Sequence, residues 1–362
     1  MTRRRKRTFF LLILCIATLI GCSRTRIVDK ISIIHVFGFD NADNGGIIGS
    51  ALIPYYEKDK SGSEIQFLVD RAESSSLLLP KLGTRTSNPI EVAKIRVIVF
   101  GKDYAESGIQ NAVERLFVTP QLGTNVQIAV STHKAEKTLE VFKKEKSLTL
   151  YERLEHNMIQ QFLPLMNLHV FLNHFFADGM DAYIPTITID DTDLIKVIGI
   201  GVFKDDKLKL QLNPDETFLF AVIKDTQTQG TYKIEIGENE QSEMFVIRAF
   251  RSISKWDWDP FKEEVNLVLN LEWTLVQYPD KYTVHNGKDL AKIKKIISEK
   301  LHERIEDLLK KFKENGVDPL GIGNLVRSQD RNWDKQTFYE KYPSLPINID
   351  INLNIVHSGL EN

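Results

Sequence analysis

The sequence predicts a multidomain α+β protein with mixed α/β character, in which an N-terminal mixed sheet is followed by a C-terminal antiparallel sheet packed against a long helix. In the first half, segments with the two-residue period of strands alternate with segments of helical period. In the second half, longer alternating segments precede a single long amphipathic stretch. The chain has 362 residues, which is more than one hydrophobic core usually organises, so we expect two or three domains.

Five segments of the first half are predicted to be strands because they are rich in Ile and Val and end at turn residues. They are Lys30–Asp40, Gly46–Tyr56, Glu64–Ala72, Lys94–Gly101 and Asn125–Thr132. Helical periodicity predicts helices within Ala72–Leu82, Lys102–Phe117 and Thr132–Phe142, and a mostly helical stretch from Ser147 to Asp178 with a break at Pro164.

A boundary between the two halves is predicted at residues 190–195. The segment from Tyr183 to Leu194 contains Pro185 and an acidic cluster, Asp190–Asp193, and this composition favours an exposed connector. The cluster lacks the alternate spacing and the distal Glu of a calcium loop, so solvated linker chemistry is favoured. The predicted organisation is a signal peptide at 1–21, an N-terminal region at 22–190 that could hold two subdomains, and a C-terminal domain at 195–360.

The second half begins with a predicted hairpin, Val197–Leu212, that turns between Lys204 and Lys207. Long strands follow over Met244–Asp259 and Glu264–Tyr278, and then a helix from Lys288 to about Glu314 that carries apolar residues every three or four positions. The segment Ile347–Val356 alternates apolar and polar residues, which predicts a half-buried last strand.

The N-terminus has the order of a secretory signal. Five consecutive basic residues, Arg3 to Arg7, precede an apolar run from Phe9 to Gly21. That run has 13 residues, whereas a helix needs about 20 to cross the hydrocarbon core, so a permanent span is the weaker interpretation. Without residues 1–21 the net charge would fall from −2 to about −7. This balance gives no indication of a nucleic-acid partner.

The position of the cysteines favours lipid attachment. The chain has two cysteines, and Cys15 lies within the segment that would be removed, so a mature chain would keep Cys22 alone, at its N-terminus. A lone exported cysteine suggests an intermolecular bond, a reactive thiol or lipidation. Leu19–Cys22 resembles the bacterial lipobox, in which the cysteine receives a thioether-linked diacylglyceryl group and an N-acyl chain such as palmitate. Two acyl chains hold a protein at a membrane far more firmly than one.

Motifs for catalysis, metals and cofactors are not recognisable in the sequence. His169 and His174 do not share a helical face, and Gly199-Ile200-Gly201 lacks the third glycine and the helix of a dinucleotide loop. There is no Gly-x-Ser-x-Gly elbow, and no cysteine follows Cys22. We therefore expect no catalytic residue, no metal and no cofactor.

Two tryptophans could contact a ligand or a partner. Trp256 and Trp258 flank Asp257 on a predicted strand, which places both indoles on one side. Packing in the core or at a sheet edge is the favoured interpretation, with a protein contact second and ligand stacking third.

Landmarks along nearly the whole chain resemble the Ger(x)C family of spore germination lipoproteins. They occur in ISIIHVFGFD after the lipobox, in KIRVIVFGKDYAESGIQNAVERL, in YIPTITI followed by VIGIGVFKDDKLKLQLNPDET, and in DPLGIGNLVRSQDRNWDK. The residues that match the family pattern are Gly38, Asp40, Gly101, Gly199, Gly201, Phe203, Glu216, Asp318, Gly321, Gly323 and Trp333.

The resemblance implies a non-enzymatic C subunit of a germinant receptor. Such a subunit would be attached to membrane lipid through Cys22 on the outer face of the spore inner membrane. Its expected partners are an integral A subunit and a transporter-like B subunit, and its expected role is assembly or signalling of the receptor. The alternative is a solute-binding lipoprotein that itself captures the germinant, an amino acid, a sugar or a nucleoside.

Overall fold

The computed structural model describes residues 31–43, 45–56, 63–123, 125–145, 150–160, 163–224, 230–237 and 243–356. Its strands are β1 (Ser32–Ile33), β2 (Val36–Asn41), β3 (Ile47–Tyr56), β4 (Ser63–Ala72), β5 (Ile90–Glu91), β6 (Val97–Phe100), β7 (Gln127–Ser131), β8 (Tyr183–Ile189), β9 (Ile195–Lys204), β10 (Lys207–Leu212), β11 (Gly230–Ile236), β12 (Glu243–Asp259), β13 (Glu264–Gln277) and β14 (Ile347–Ile355). Its helices are α1 (Ser75–Gly83), α2 (Lys102–Ser107), α3 (Gln110–Phe117), α4 (Ala135–Lys144), α5 (Leu150–Ile159), α6 (Leu168–Phe175), α7 (Pro214–Lys224), α8 (Gly287–Glu314), α9 (Ile322–Gln329) and α10 (Lys335–Lys341).

A large mixed sheet forms the first half. Its strand order is β10-β9-β8-β7-β6-β2-β3-β4, with parallel pairing from β2 through β6 and β7 to β8 and antiparallel hairpins at both edges. Every residue of β6 and β7 is buried, as expected for parallel strands covered on both faces. The predicted helix over Lys102–Phe117 is divided in two at Gly108, whose φ is +130°.

The predicted exposed connector is wrong in its first part. The segment Tyr183–Ile189 is strand β8, whose first five residues are buried, and it lies inside the large sheet between β7 and β9. Its alternating Tyr, Ile and Thr side chains fill the core, and these outweigh the breaking tendency of Pro185. Only Asp190–Leu194 forms a turn. There the Asp190 carboxylate accepts hydrogen bonds from the backbone N–H groups of Thr192 and Leu194 at 2.9 and 3.0 Å.

The hairpin of β9 and β10 pairs with the first sheet. It lies beyond the predicted boundary, yet β9 pairs with β8 along seven residue pairs. The boundary predicted at 190–195 therefore does not separate the two sheets. Sequence periodicity gives strands but not their partners, so it does not indicate that this hairpin joins the first sheet.

The second half is a four-stranded sheet, in the order β11-β12-β13-β14, with helix α8 packed on it. The expectation of an antiparallel sheet holds for β11, β12 and β13. Strand β14 instead runs parallel to β13, because the long helix returns the chain to the starting end of β13. The apolar stripe predicted for α8 is buried over Ile293, Ile297, Leu301, Ile305, Leu308 and Phe312.

Candidate functional site: the joint between the halves and an aromatic cleft

The predicted lipid attachment residue, Cys22, lies outside the described residues. The first described residue is Ile31, just before β1. Among the helices of the described ranges, none is long and apolar enough to cross a membrane.

Gly38, Asp40 and Gly101 come together at the start of helix α4. The Asp40 carboxylate is buried and accepts hydrogen bonds from the backbone N–H groups of Ala135 and Glu136, both at 2.7 Å. Burial raises the pKa of Asp40, although these two hydrogen bonds oppose the shift. A side chain at Gly101 would place its Cβ 1.9 Å from the Asp40 Oδ1 atom. The matching residues at these three positions therefore form one structural cap.

The next group of family-pattern residues lies where the large sheet meets helix α7. Gly199 and Gly201 are part of β9, and Phe203 in the same strand is fully buried. Glu216 closes the first turn of α7, since its carboxylate accepts from the backbone N–H of Asn213 at 2.9 Å and pairs with Lys311 at 2.7 Å. These residues connect the first sheet to the long helix of the second half.

Asp318 organises the turn that begins helix α9. Its side chain is completely buried. It accepts hydrogen bonds from three successive backbone N–H groups, those of Gly321, Ile322 and Gly323, at 2.8 to 3.0 Å. Burial raises the pKa of Asp318 to about 6, and the negative charge of Asp181 adds to the shift. The carboxylate thus fixes the backbone at the point where the two halves meet.

Asp181 faces Asp318 from the first half. Its backbone N–H donates to the Asp318 carbonyl at 2.9 Å, and its carboxylate accepts from the Asp318 backbone N–H at 2.7 Å. Lys204 lies 3.2 Å from the Asp181 carboxylate and 4.0 Å from the ring centre of Tyr339. Burial raises the pKa of Asp181, and the nearby Lys204 ammonium opposes that shift. We call this set, with the turn from Asp318 to Gly323, the joint.

Close backbone contact at the joint explains the glycine at position 323. A Cβ there would lie 2.9 Å from the carbonyl oxygen of Gly179 and 3.0 Å from its Cα. Since these are backbone atoms, a side-chain rotation cannot relieve the contact. Gly321 precedes α9 with φ of +79°.

The sequence points to Asp318 in the joint but not to its partner Asp181. Asp318, Gly321 and Gly323 match the family pattern, whereas nothing in the sequence singles out Asp181 or Tyr339. The Asp181–Asp318 contact joins residues 137 positions apart. An isolated acidic residue before an apolar strand, as in Asp181-Ala182-Tyr183, was the available signal.

The three tryptophans that were singled out have different surroundings. The Trp256 indole N–H donates to the Ile223 carbonyl at 2.8 Å, so this side chain is a packing element. Trp258, on the same face of β12, lines a cleft of about 510 Å³ together with Trp333, Phe338 and Tyr342. We call this the aromatic cleft. The structure therefore brings Trp258 to Trp333 and separates its role from that of Trp256.

Potential metal-ligating side chains are dispersed in the described part of the chain. Within it, no three His, Cys, Asp or Glu side chains lie together as a metal site would need. The side chain of His174 is packed 5.3 Å from the Tyr183 ring, and burial lowers its pKa to about 4.

Comparisons with known proteins define the class. Residues 24–189 match the model described as "Spore germination protein N-terminal domain". Residues 198–359 match "Spore germination B3/ GerAC like, C-terminal". The chain belongs to the Ger(x)C family of spore germination proteins, and a role in spore germination follows from that membership.

Two relatives are similar over almost their full lengths. The spore germination protein GerQC of Bacillus cereus is 28% identical over 360 residues, which covers 98% of this chain and 99% of the relative. The spore germination protein KC of Bacillus subtilis (strain 168) is 22% identical over 411 aligned positions, which covers 97% and 95% of the two chains.

A solved structure has the same fold. The crystal structure of the GerBC protein superimposes with a TM-score of 0.58 and covers 88% of this chain and 96% of that chain, at 13% identity. The mixed α/β, multidomain fold that the sequence predicts is confirmed.

Proposed function

We propose that this chain is the lipid-anchored, non-enzymatic C subunit of a germinant receptor, held on the outer face of the spore inner membrane, where it supports assembly of the receptor. The observation that carries the proposal is the lipobox-like Leu19–Cys22 placed directly before a folded body of the Ger(x)C family. The family description names a spore germination protein rather than an enzyme.

The short distance along the chain between Cys22 and the body supports an assembly role. Nine peptide units separate Cys22 from Ile31, and nine fully extended residues span at most about 30 Å. A lipidated Cys22 would therefore keep the body close to the membrane surface. Such confinement raises its effective concentration for integral A and B subunits without any new contact.

The joint supports the same role because it makes one body from the two halves. The reciprocal hydrogen bonds of Asp181 and Asp318 are buried, and β9 and β10 extend the first sheet directly into helix α7. A body fixed in this way presents its surfaces in a constant arrangement, which suits a subunit that positions partners.

Replacement of the lipid-accepting cysteine tests the proposal. We expect Cys22→Ala to release the chain from the spore membrane fraction, to reduce recovery of the A and B subunits with a tagged chain, and to slow germination. Cys15→Ala is the matched control, because it removes the other cysteine from within the signal segment. Mass spectrometry of the mature N-terminus then identifies the acyl groups.

The proposal is wrong if Cys22→Ala leaves both receptor recovery and germination rate at the level of Cys15→Ala. It is also wrong if the mature chain carries an unmodified Cys22 or an intact signal segment. Loss of membrane retention with normal germination would refute the assembly role while retaining the anchor.

A further inference from the structure

An exposed apolar patch lies where helices α3 and α6 end. Phe117 and Val118 expose 64% and 61% of their surfaces, and Phe176, which follows α6, exposes 49%. The rings of Phe117 and Phe176 are 5.3 Å apart, centre to centre. We call these three residues the phenylalanine patch. Contiguous apolar patches on the surface of a folded protein mark contacts with other proteins or with membranes.

The aromatic rings behind the patch hold it at the surface. The Phe176 ring lies 5.2 Å from the ring of Phe175, which in turn lies 5.5 Å from the fully buried Phe171. Phe171 packs at 6.1 Å against Phe203 in strand β9. Because protein interiors are close-packed, the space behind Phe176 is already filled and its ring stays exposed.

The two segments that carry the patch contain no charged side chains. No Asp, Glu, Lys or Arg occurs from Leu116 to Thr132 or from Ile159 to Ala177. Surfaces that face water usually mix charged residues with the apolar ones. An exposed surface without charges loses little hydration when it leaves water, so this part of the chain is suited to an apolar environment.

The patch lies at the edge of the large sheet where the chain enters it. Strands β2, β6, β7 and β8 are parallel and all begin at this edge. The backbone N–H of Ser32, at the start of β1, donates to the Pro89 carbonyl at 2.8 Å. Val92, three residues further on, lines one cavity with Thr119, which follows Val118. The first described strand and the patch are therefore on the same side of the sheet.

The second uncharged segment reaches the same edge. The backbone N–H of Leu168 donates to the carbonyl of Val126, immediately before β7, at 2.7 Å. Leu165, three residues before Leu168, is 70% exposed. This edge thus presents a further apolar side chain besides the patch.

The charges beside the patch favour an anionic surface as its partner. The Asp178 carboxylate, two residues after Phe176, is paired with Arg327 at 3.2 Å. Lys94 and Arg115 are exposed and have no carboxylate within 4.0 Å among the described residues. Unpaired cations next to an apolar surface are attracted to anionic lipid headgroups.

We propose that the phenylalanine patch and Leu165 insert into the headgroup boundary of the lipid bilayer, so that the body meets the membrane with this edge of its large sheet. The inference rests on the proposed anchoring, because nine residues from a lipidated Cys22 to Ile31 span at most about 30 Å and keep this edge near the bilayer. Apolar side chains at the interface add to the hold of the acyl chains. The body then has one orientation on the membrane rather than turning freely on its tether.

A single introduced cysteine measures the depth of this edge. No cysteine follows Cys22, so Gln121→Cys places one nitroxide label on the mature lipidated chain, beside the intact patch. The full chain is expressed with its signal segment, purified in detergent and reconstituted into vesicles of phosphatidylcholine and phosphatidylglycerol. Electron paramagnetic resonance then compares how often the label meets oxygen, which enters lipid, and a neutral nickel chelate, which stays in water.

We expect the label at Gln121 to meet oxygen far more often than the nickel chelate. Lys102→Cys is the control, because Lys102 follows β6 at the opposite edge of the sheet, and its label should remain in water. Flotation of the vesicles shows separately whether the chain is anchored.

Removal of both rings tests whether the patch sets the depth. Burying one Phe side chain changes a partition constant roughly 10- to 100-fold. We therefore expect Phe117→Ser with Phe176→Ser to lower the ratio of inserted to water-exposed labels at least about 10-fold, while the acyl chains keep the protein on the vesicles. Phe261→Ser is the matched control, since this side chain is 97% exposed between β12 and β13, and it should leave the label inserted.

Leu165→Ser gives a second comparison that does not depend on the packing of the two rings. It should shift the label partly towards water, and melting temperatures equal to that of the parent show that the variants have folded.

The possible failures are distinct. A label at Gln121 that stays in water while the parent chain floats with the vesicles would refute the insertion alone, even if a protein covers the patch in spores. A parent chain that does not float would refute the anchoring and the insertion together. A label that stays inserted in both the double variant and Leu165→Ser would assign the depth to the tether and overturn the role of the patch.

Discussion

Helix α4 begins on a single buried carboxylate, and its removal gives a measurable local effect. Asp40 accepts from the N–H groups of Ala135 and Glu136, and its negative charge lies at the positive end of the helix dipole. Asp40→Ala would leave both donors without an acceptor. We expect the start of α4 to open more easily while the rest of the sheet stays folded.

The size of the effect follows from the two donors. An unsatisfied buried N–H costs about 1–3 kcal/mol, so two cost about 2–6 kcal/mol. The loss of the buried carboxylate offsets part of this cost, since burial disfavours its charged form and raises its pKa. We expect a net loss of about 2–4 kcal/mol in local stability.

Gly101→Ala should act through the same cap. The added Cβ would lie 1.9 Å from the Asp40 Oδ1 atom and 2.9 Å from the Ala135 nitrogen, and overpacking of this kind costs about 1–3 kcal/mol. In the Asp40→Ala background the first contact no longer exists. The double variant should therefore lose about 1–2 kcal/mol less than the sum of the single variants.

Hydrogen exchange with mass spectrometry on the peptide that covers α4 measures these differences. A loss of about 2 kcal/mol corresponds to roughly 30-fold faster exchange. Asn167→Ala is the control, because it removes the cap of α6, where the Asn167 side chain accepts from Val170 at 2.9 Å. Unchanged exchange at α4 in Asp40→Ala, or strict additivity with Gly101→Ala, would refute the reasoning.

Two further predictions concern the joint. The pKa of the buried Asp318 is raised to about 6 from the usual 3.8, so the folded chain holds this proton more tightly than the unfolded chain. The resulting stabilisation is complete below about pH 3.8 and is lost as the pH rises through about 6. Asp318→Asn should remove this dependence, so a difference in melting temperature that stays flat between pH 4.5 and 7.5 would contradict the assignment. Gly323→Ala should lower the melting temperature more than Gly83→Ala, where a Cβ meets nothing within 4 Å, and equal melting temperatures would refute the role of the close backbone contact.

The spacing of apolar residues was sufficient to predict those elements whose buried face follows from their own periodicity. The long helix was predicted from Lys288 to about Glu314 and spans Gly287–Glu314, because seven apolar residues at helical spacing can be buried only as one stripe. The last strand was predicted over Ile347–Val356 and spans Ile347–Ile355. Strict alternation of apolar and polar residues places all the apolar side chains on one face only in a strand.

The same spacing was insufficient where the structure of a segment depends on contacts with elements distant in the chain. The segment Tyr183–Ile189 was interpreted as a connector because Pro185 and acidic residues are typical of loops, yet β7 and β9 enclose it. The parallel pairing of β14 depends on the path of α8 over the sheet rather than on the strand's own residues.

The same distinction applies to the residues of the candidate sites. Asp40, Gly101 and Asp318 were identified as positions of a family pattern, but the sequence did not state what they contact. Asp40 supports a helix 95 positions away, and Asp318 meets Asp181 at a separation of 137. Trp256 and Trp258 were predicted to lie on one side of a strand with packing as the favoured role, and of the two only Trp258 lines the aromatic cleft, together with Trp333.

The sequence by itself determined the family, the predicted lipid-attachment residue Cys22 and the elements with a clear period, because each of these depends on neighbours in the chain. Only the tertiary structure decided which strands share a sheet, which carboxylates meet at the joint and which tryptophans form the cleft. Those outcomes depend on the burial of groups that are far apart in the chain. A close contact or an unpaired donor changes the free energy of folding only once the two halves have packed together.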